Sequence, residues 1–484
     1  MGTIWVGVDD TDAKGSGCTT WVLTELLGLA REQRLDPIGP PRLVRLNPNI
    51  PWKTRGNAAL SVRLGHGRGR RRWVGTLSGR RLFAYASGAE PTTAELERFA
   101  RAAWQVVLDA SPEAEGTDPA LVVASRRPSP ELYWKAVREV VAVDEARAAL
   151  DAVGALVRTR GDPRGLVGAA AAIAWPARRG TWELLSYRQP ERVGKPRTID
   201  PETVRAAQRA DRRLFLCHDP VTRRLLVAPH TGCPVLFGLR ATAPEAAVRA
   251  LRTVRSEPWE RWVLFRTNQA TGDHLLRRSA ASIVPFLSAI LPGTVSAPPR
   301  ALAGGHVLFS VRDEEGDEVR CVAFEPTKTL PRVAQALLPG DRVVVWGSAS
   351  RPATLRLEGI RLVRRVRVRR LSAPACPRCG GRTGSLGRGR GWRCRSCRLR
   401  LPPEHATTSV IPRAVRPGTY HPTPSARRHL APRATEPAAA RADDPQSMPR
   451  ATDGGPGART SSRAPGLARA FERFPAPPER EEDT

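Results

Sequence analysis

Gly7-Val8-Asp9-Asp10-Thr11-Asp12-Ala13-Lys14-Gly15-Ser16-Gly17-Cys18-Thr19-Thr20 is the stretch on which the reading of this chain turns. Ile4 to Val8 have the pattern of a short buried strand. Three carboxylates follow, and a glycine-rich turn then delivers Thr19 and Thr20 to an apolar helical run, Trp21 to Ala30. Carboxylates at a strand end can hold Mg²⁺, which keeps part of its water shell and bridges to phosphate oxygens. Gly15, Gly17 and a helix N-terminus aim backbone N–H groups at the same anion. An acidic turn with Thr19 as helix cap is the plainer alternative, and it leaves the clustering of Asp9, Asp10 and Asp12 unexplained. The stretch is neither a Gly-x-x-x-x-Gly-Lys-Ser/Thr loop nor a three-glycine dinucleotide fingerprint.

Arg45-Leu46-Asn47-Pro48-Asn49-Ile50-Pro51-Trp52-Lys53-Thr54-Arg55-Gly56-Asn57-Ala58-Ala59 is equally distinctive. Two prolines and a glycine forbid a regular helix across it, and Asn47, Asn49, Lys53, Arg55 and Asn57 are donors suited to triphosphate oxygens or an RNA backbone. A basic surface loop leading into a strand, Ala58 to Leu64, is the alternative. With its Asp-Asp-Thr-Asp, its Cys-Thr-Thr and this second block, the chain resembles the archaeal isoleucine-tRNA 2-agmatinylcytidine synthetase family. Weaker similar blocks stand at Ser186-Tyr187-Arg188 with Gly194 to Asp200, and at Arg266 to Leu275, so the resemblance runs from residue 1 to about 400.

The net charge of +31 over 484 residues favours a polyanionic partner such as RNA, because each neutralised phosphate releases condensed counterions. The length suggests about three domains. The opening is a strand pattern with early aspartates, not a secretory leader. The longest apolar run, Leu166 to Trp175, is about half of the roughly 20 residues a bilayer needs, so a cytoplasmic protein is expected. Eight cysteines, four of them in one C-terminal cluster, indicate a metal site in a reducing interior. Cys18, Cys217, Cys233 and Cys321 lie far apart and read as small buried apolar residues.

Residues 1 to about 290 read as mixed α/β, with strand-like runs at Ile4 to Val8, Ala58 to Leu64, Leu121 to Ala124 and Leu225 to Ala228. Thr92-Thr93-Ala94-Glu95 predicts a capping box opening a helix, and Asp144 and Asp200 predict caps of two more. Pro292 to Pro299 reads as a linker. From 304 to 363, short alternating strands with one helix at Leu330 to Leu338 predict an OB-fold barrel, a common oligonucleotide binder. Residues 364 to 371 alternate Arg with Val at strand period and offer a phosphate track. Cys376-x2-Cys379 and Cys394-x2-Cys397, fourteen residues apart, predict a zinc ribbon over 372–402 with a structural four-sulfur Zn²⁺. Beyond 403, Pro, Ala, Arg, Ser and Gly predict a disordered basic tail to 484, dispensable for ATP consumption.

The resemblance implies more than the patterns do. It implies that 1–290 comprise a kinase-like unit interleaved with a ferredoxin-like one, and that the chain is an ATP-dependent ligase. The substrates it implies are agmatine and C2 of the wobble cytidine in the isoleucine tRNA with a CAU anticodon, which then decodes AUA. It places Asp9, Asp10 and Asp12 on Mg²⁺ and phosphate, Thr19 as an acceptor of phosphate from ATP, and Gly15, Gly17, Thr20, Lys53 and Arg55 around the nucleotide. Asn268, Gln269, Asp273 and His274 are candidates for the agmatine pocket, or merely order a loop. The competing reading is a non-catalytic OB-fold and zinc-ribbon protein that binds RNA or single-stranded DNA.

Overall fold

The computed structural model describes residues 3–54 and 56–433. Its N-terminal part is built on one ten-stranded sheet whose main path runs Leu156–Thr159, Ala120–Ala124, Ile4–Asp9, Ala58–Leu77, Arg42–Arg45, Trp259–Thr267, Thr181–Arg188, Val235–Ala241. The opening strand is central, antiparallel to Ala58–Leu77 on one side and to Ala120–Ala124 on the other. Its residues alternate between two cores. Ile4, Val6 and Val8 join the one that holds helix Thr19–Glu32, and Trp5 joins the one that holds helix Gly165–Ala174. A strand buried on both faces needs continuous apolar side chains, as Ile4 to Val8 supply. Gly7 lacks a side chain because the carbonyl of Ala169 lies where a Cβ would stand.

The apolar run Leu166 to Ala174 lies in this alanine-rich helix, Gly165–Ala174, of which every residue but Val167 is buried. The capping box at Thr92 is present, with the Glu95 amide donating to Thr92 Oγ1 and the Thr92 amide to the Glu95 carboxylate. Asp200 caps helix Pro201–Ala210 as expected. Asp144 does not cap. Helix Val143–Asp151 starts two residues earlier than expected with Ala142 at the cap, which places Asp144 in the first turn, where its charge still suits the helix dipole. Leu225 to Ala228 is not a strand; the sheet takes Val235–Ala241 instead, because that run can pair with Thr181–Arg188 along its length.

The second module is a closed barrel. Ser288–Val295 pairs with Arg342–Arg351, that strand with Thr354–Arg364, which runs parallel to Glu318–Ala323, which pairs with Val307–Arg312, and Thr294↔Arg312 with Val295↔Val311 closes the ring. Helix Thr329–Gln335 sits between the third and fourth strands, as in an OB-fold. The barrel therefore begins at Ser288, and the first half of the linker predicted at Pro292 to Pro299 belongs to its first strand, Ser288–Val295. Pairing to Val307–Arg312 starts only at Thr294, so Pro292 lies where one edge has no ladder to lose.

Val368–Ser372 pairs with Thr407–Ile411 in a two-stranded ribbon, and beyond it lies a three-stranded sheet, Thr383–Ser385, Trp392–Cys394 and Arg400–Leu401, carrying the cysteines. The expected tail from 403 is not borne out up to 433. Arg413 makes a bidentate ion pair to the buried Asp341, at 2.7 and 2.6 Å, and Gly418–Tyr420 adds a strand to the barrel. Residues 424–431 then return to the first sheet. Composition hides this because a few anchors, not a run of apolar residues, hold the segment. Residues 434–484 lie outside the described residues.

Candidate active site and metal centre

The acidic stretch leaves the central strand through Asp10, whose φ of 56° is a left-handed conformation that a non-glycine residue adopts under constraint. Asp12 bridges to Gly17 across a turn closed by Ala13 N to Ser16 O at 3.0 Å, with Gly15 and Gly17 both at positive φ. Helix Thr19–Glu32 follows with Cys18 as its N-cap. Thr19 is thus the first helical residue and not the cap. Thr20 Oγ1 lies 3.0 Å from Cys18 Sγ.

Folding adds two carboxylates that the sequence reading passed over, Asp118 and Asp162. Three glycines make room for the group: a Cβ on Gly168 would fall on the Asp9 carboxylate, one on Gly165 against Asp10, and one on Gly161 on the Asp118 carboxylate. Burial, reinforced by Asp10, holds the Asp9 carboxyl well above the usual range. Burial followed by Asp118, Asp12 and Asp162 pushes Asp10 to about 7, against the pull of Arg164. A crowd of oxygen donors suits a hard divalent cation. The only sequence signal for the new members was the glycine spacing of Gly161-Asp162-Pro163-Arg164-Gly165.

The proline-rich loop reaches this site with its second half. Thr54 Oγ1 donates to Asp12 Oδ1 at 3.0 Å, and Lys53 Nζ to Ile50 O at 2.8 Å. Its asparagines serve the fold. Asn47 Nδ2 donates to Glu139 O and Phe286 O, Asn49 Nδ2 to Ser288 Oγ, and Asn57 Nδ2 to Asn47 O. Asn47 is buried and spends its amide on backbone carbonyls, and half-buried Asn49 and Asn57 are held by contacts within the protein. Arg55 lies outside the described residues.

The cluster at 268–274 is also mostly internal. Asn268 bonds both backbone groups of Arg45, Asp273 accepts from Tyr133 OH at 2.6 Å, and His274 Nε2 meets the buried Glu358 of the barrel at 3.1 Å. Gln269 is shared between Glu183 and His429 of the returning segment. Loop ordering is therefore the role these contacts show. Cys18 and Cys233 are not isolated. The two thiols perturb each other, Cys18 being raised by Cys233 and by burial and Cys233 being lowered by Cys18, and Arg197 Nη2 lies 3.7 Å from Cys233 Sγ.

In the ribbon, the sulfurs of Cys376, Cys379, Cys394 and Cys397 lie within 4.8 Å of one another, with Cys376 to Cys397 and Cys379 to Cys394 each 3.5 Å. Among the described residues this is the one group gathered closely enough to hold a metal by its ligand atoms alone. Four thiolates fit a closed tetrahedral Zn²⁺ with no open position, a structural site. Cys394→Ser is expected to abolish zinc retention and weaken tRNA binding while the N-terminal sheet keeps its melting transition. Metal analysis after purification under reducing conditions checks this, and a zinc-replete variant would refute it.

The chain thus combines an α/β unit carrying a carboxylate and phosphate-type turn with an OB barrel and a four-cysteine ribbon, the make-up of a multidomain protein acting on nucleic acid. Family models match as the TiaS TCKD domain over residues 5–160, the TiaS FLD domain over 163–274 and the TiaS C-terminal zinc ribbon domain over 373–415. It is 35% identical to the isoleucine-tRNA 2-agmatinylcytidine synthetase TiaS of Methanosarcina acetivorans, over 88% of this chain and 96% of that one, and 33% identical to that of Archaeoglobus fulgidus over the same shares. Crystal structures of TiaS with its isoleucine tRNA and ATP, and of TiaS with that tRNA, AMPCPP and agmatine, superpose with TM-scores of 0.75 and 0.73, at 32% and 29% identity, over 89% of this chain and 96% of each. The chain belongs to the isoleucine-tRNA 2-agmatinylcytidine synthetase family.

Proposed function

We infer that this chain is an ATP-dependent ligase joining agmatine to C2 of the wobble cytidine of the CAU-anticodon isoleucine tRNA. The observation that carries the reading is family membership over 88% of a chain that carries the acidic turn, Thr19 and four cysteines. We read 5–160 as the kinase-like unit and 163–274 as the ferredoxin-like one, and the enzyme as cytoplasmic, where its tRNA resides. In keeping with that, no helix among the described residues is long and apolar enough to cross a membrane.

The C2 carbonyl oxygen of cytosine is a poor leaving group. Of the two phosphoryl groups lost as ATP becomes AMP, one goes to that oxygen, so that the primary amine of agmatine adds at C2, loses a proton and expels phosphate, and the other is taken by Thr19 and released to water as phosphate. Such steps depend chiefly on positioning and charge neutralisation. Asp9, Asp10 and Asp12, with Asp118 beside them, would hold Mg²⁺, which neutralises phosphate oxygens when bound. Gly15, Gly17, Thr20 and the helix N-terminus receive the phosphates, and Lys53 supplies a cation at the same turn. The barrel and ribbon, with exposed Arg367, Arg369 and Arg370 between them, hold the tRNA.

The test is whether the purified chain turns ATP into AMP only when the tRNA is present. Tight RNA binding with no AMP would favour the non-catalytic reading. Thr19→Ala separates a phosphate-accepting group from a structural one. Cys18 holds the cap, so the substitution is expected to leave the melting transition within about 1 kcal/mol and to abolish agmatine transfer. Survival of transfer would remove Thr19 from the chemistry.

A further inference from the structure

Among the exposed large apolar side chains, Trp52 stands at the edge of the carboxylate cluster with 44% of its surface open. Pro48 and Pro51 stiffen its loop, and Asn47 and Asn49 tie the loop to the segment 286–288 ahead of and within the first barrel strand. Phe286, at φ 68°, packs beside the indole with centroids 6.4 Å apart. The Arg164 guanidinium lies 4.5 Å from the Trp52 ring and is also the cation that pulls against the raised Asp10. Two residues on, Thr54 bonds Asp12. An exposed, rigidly mounted aromatic ring beside a phosphoryl-handling cluster is a stacking platform. An enzyme that must bring a base oxygen to a phosphate has to extrude that base and hold its face.

We propose that Trp52 stacks on the extruded target cytosine of the tRNA and so sets the base against the Asp9–Asp10–Asp12 turn. The proposal rests on the tRNA-modifying reading above and deepens it. Arg164 shares the platform and places a positive charge between the base and the carboxylates.

The experiment uses the full chain and tRNA carrying the fluorescent cytosine analogue pyrrolocytosine at the wobble position. Stacking on an indole quenches the analogue, so wild-type protein with ATP should lower its emission, Trp52→Phe should keep most of the quench, and Trp52→Ala should lose it. Agmatine incorporation by Trp52→Ala should fall roughly 10- to 100-fold, the scale of one lost base–aromatic stack, with Trp52→Phe recovering most of it. A merely structural Trp52 would shift the melting temperature and leave the quench intact, which overturns the proposal. A retained quench with a raised KM for ATP would place adenine there instead and overturns it equally. Wild-type protein that makes no AMP or agmatinylated tRNA would refute the enzymatic reading itself, whatever the quench shows.

Discussion

Asp10→Asn is expected to lower ATP- and tRNA-dependent agmatine incorporation by roughly 10²–10³, or about 2.7–4 kcal/mol of transition-state stabilisation, the scale for one preorganised electrostatic group. The substitution keeps volume and removes charge. Burial and three neighbouring carboxylates already push this group to about 7, so a bound cation must draw it into its ionised form, and asparagine cannot follow. The same crowding sets the sign of the stability effect. Deleting one of several mutually repelling carboxylates relieves repulsion, so the variant should melt at or above the wild-type temperature in the absence of divalent cation. Affinity for tRNA should hardly change if, as proposed, it resides in the barrel, the ribbon and the arginines between them. Asp118→Asn should move activity in the same direction. Incorporation assays beside thermal melts decide the matter, and full activity in Asp10→Asn would return the stretch to a plain acidic turn.

Ending the chain at Thr423 should be nearly as damaging, by another route. The returning segment supplies carbonyl acceptors to two buried amides, Ala270 N to His429 O at 2.7 Å and Gly272 N to Leu430 O at 2.8 Å. Each orphaned buried N–H costs about 1–3 kcal/mol. Leu430 is buried in the core beneath helix Gly165–Ala174, where truncation even to alanine costs about 2–5 kcal/mol. Arg428 donates to Asn49 Oδ1 at 2.9 Å and to Ser348 Oγ at 3.0 Å, and pairs with Glu358 at 3.1 Å. It thereby joins the proline-rich loop to the barrel. The shortened chain should melt well below a chain ending at Arg433 and lose agmatine incorporation. Leu430→Ala should reproduce part of the loss in stability. Equal melting of the two truncations would show that the segment is an ornament.

The features legible in the sequence share one property: the groups that make them are neighbours along the chain. Asp9, Asp10 and Asp12 crowd together whatever the rest of the protein does. Thr92 and Glu95 close their box within one turn, and each Cys-x2-Cys pair sets two sulfurs on one tight loop. The barrel was readable because alternation with period two specifies strands locally, and so was the solvated strand at Val368–Ser372. Asparagines 47, 49 and 57 look the same whether they face phosphate or a carbonyl. Only the approach of Phe286 and Glu139 gave Asn47 its carbonyls. Asp118 and Asp162 joined the cluster because strand pairing and three glycines brought them there. Cys18 met Cys233 only when the loop before Val235–Ala241 packed against the opening turn. The segment after the ribbon resembled a tail because its hold rests on Arg413, Arg428 and Leu430, single residues whose partners lie tens to hundreds of positions away. Short-range chemistry is written in spacing, whereas burial, and with it charge balance and hydrogen-bond partnership, exists only once distant segments have packed.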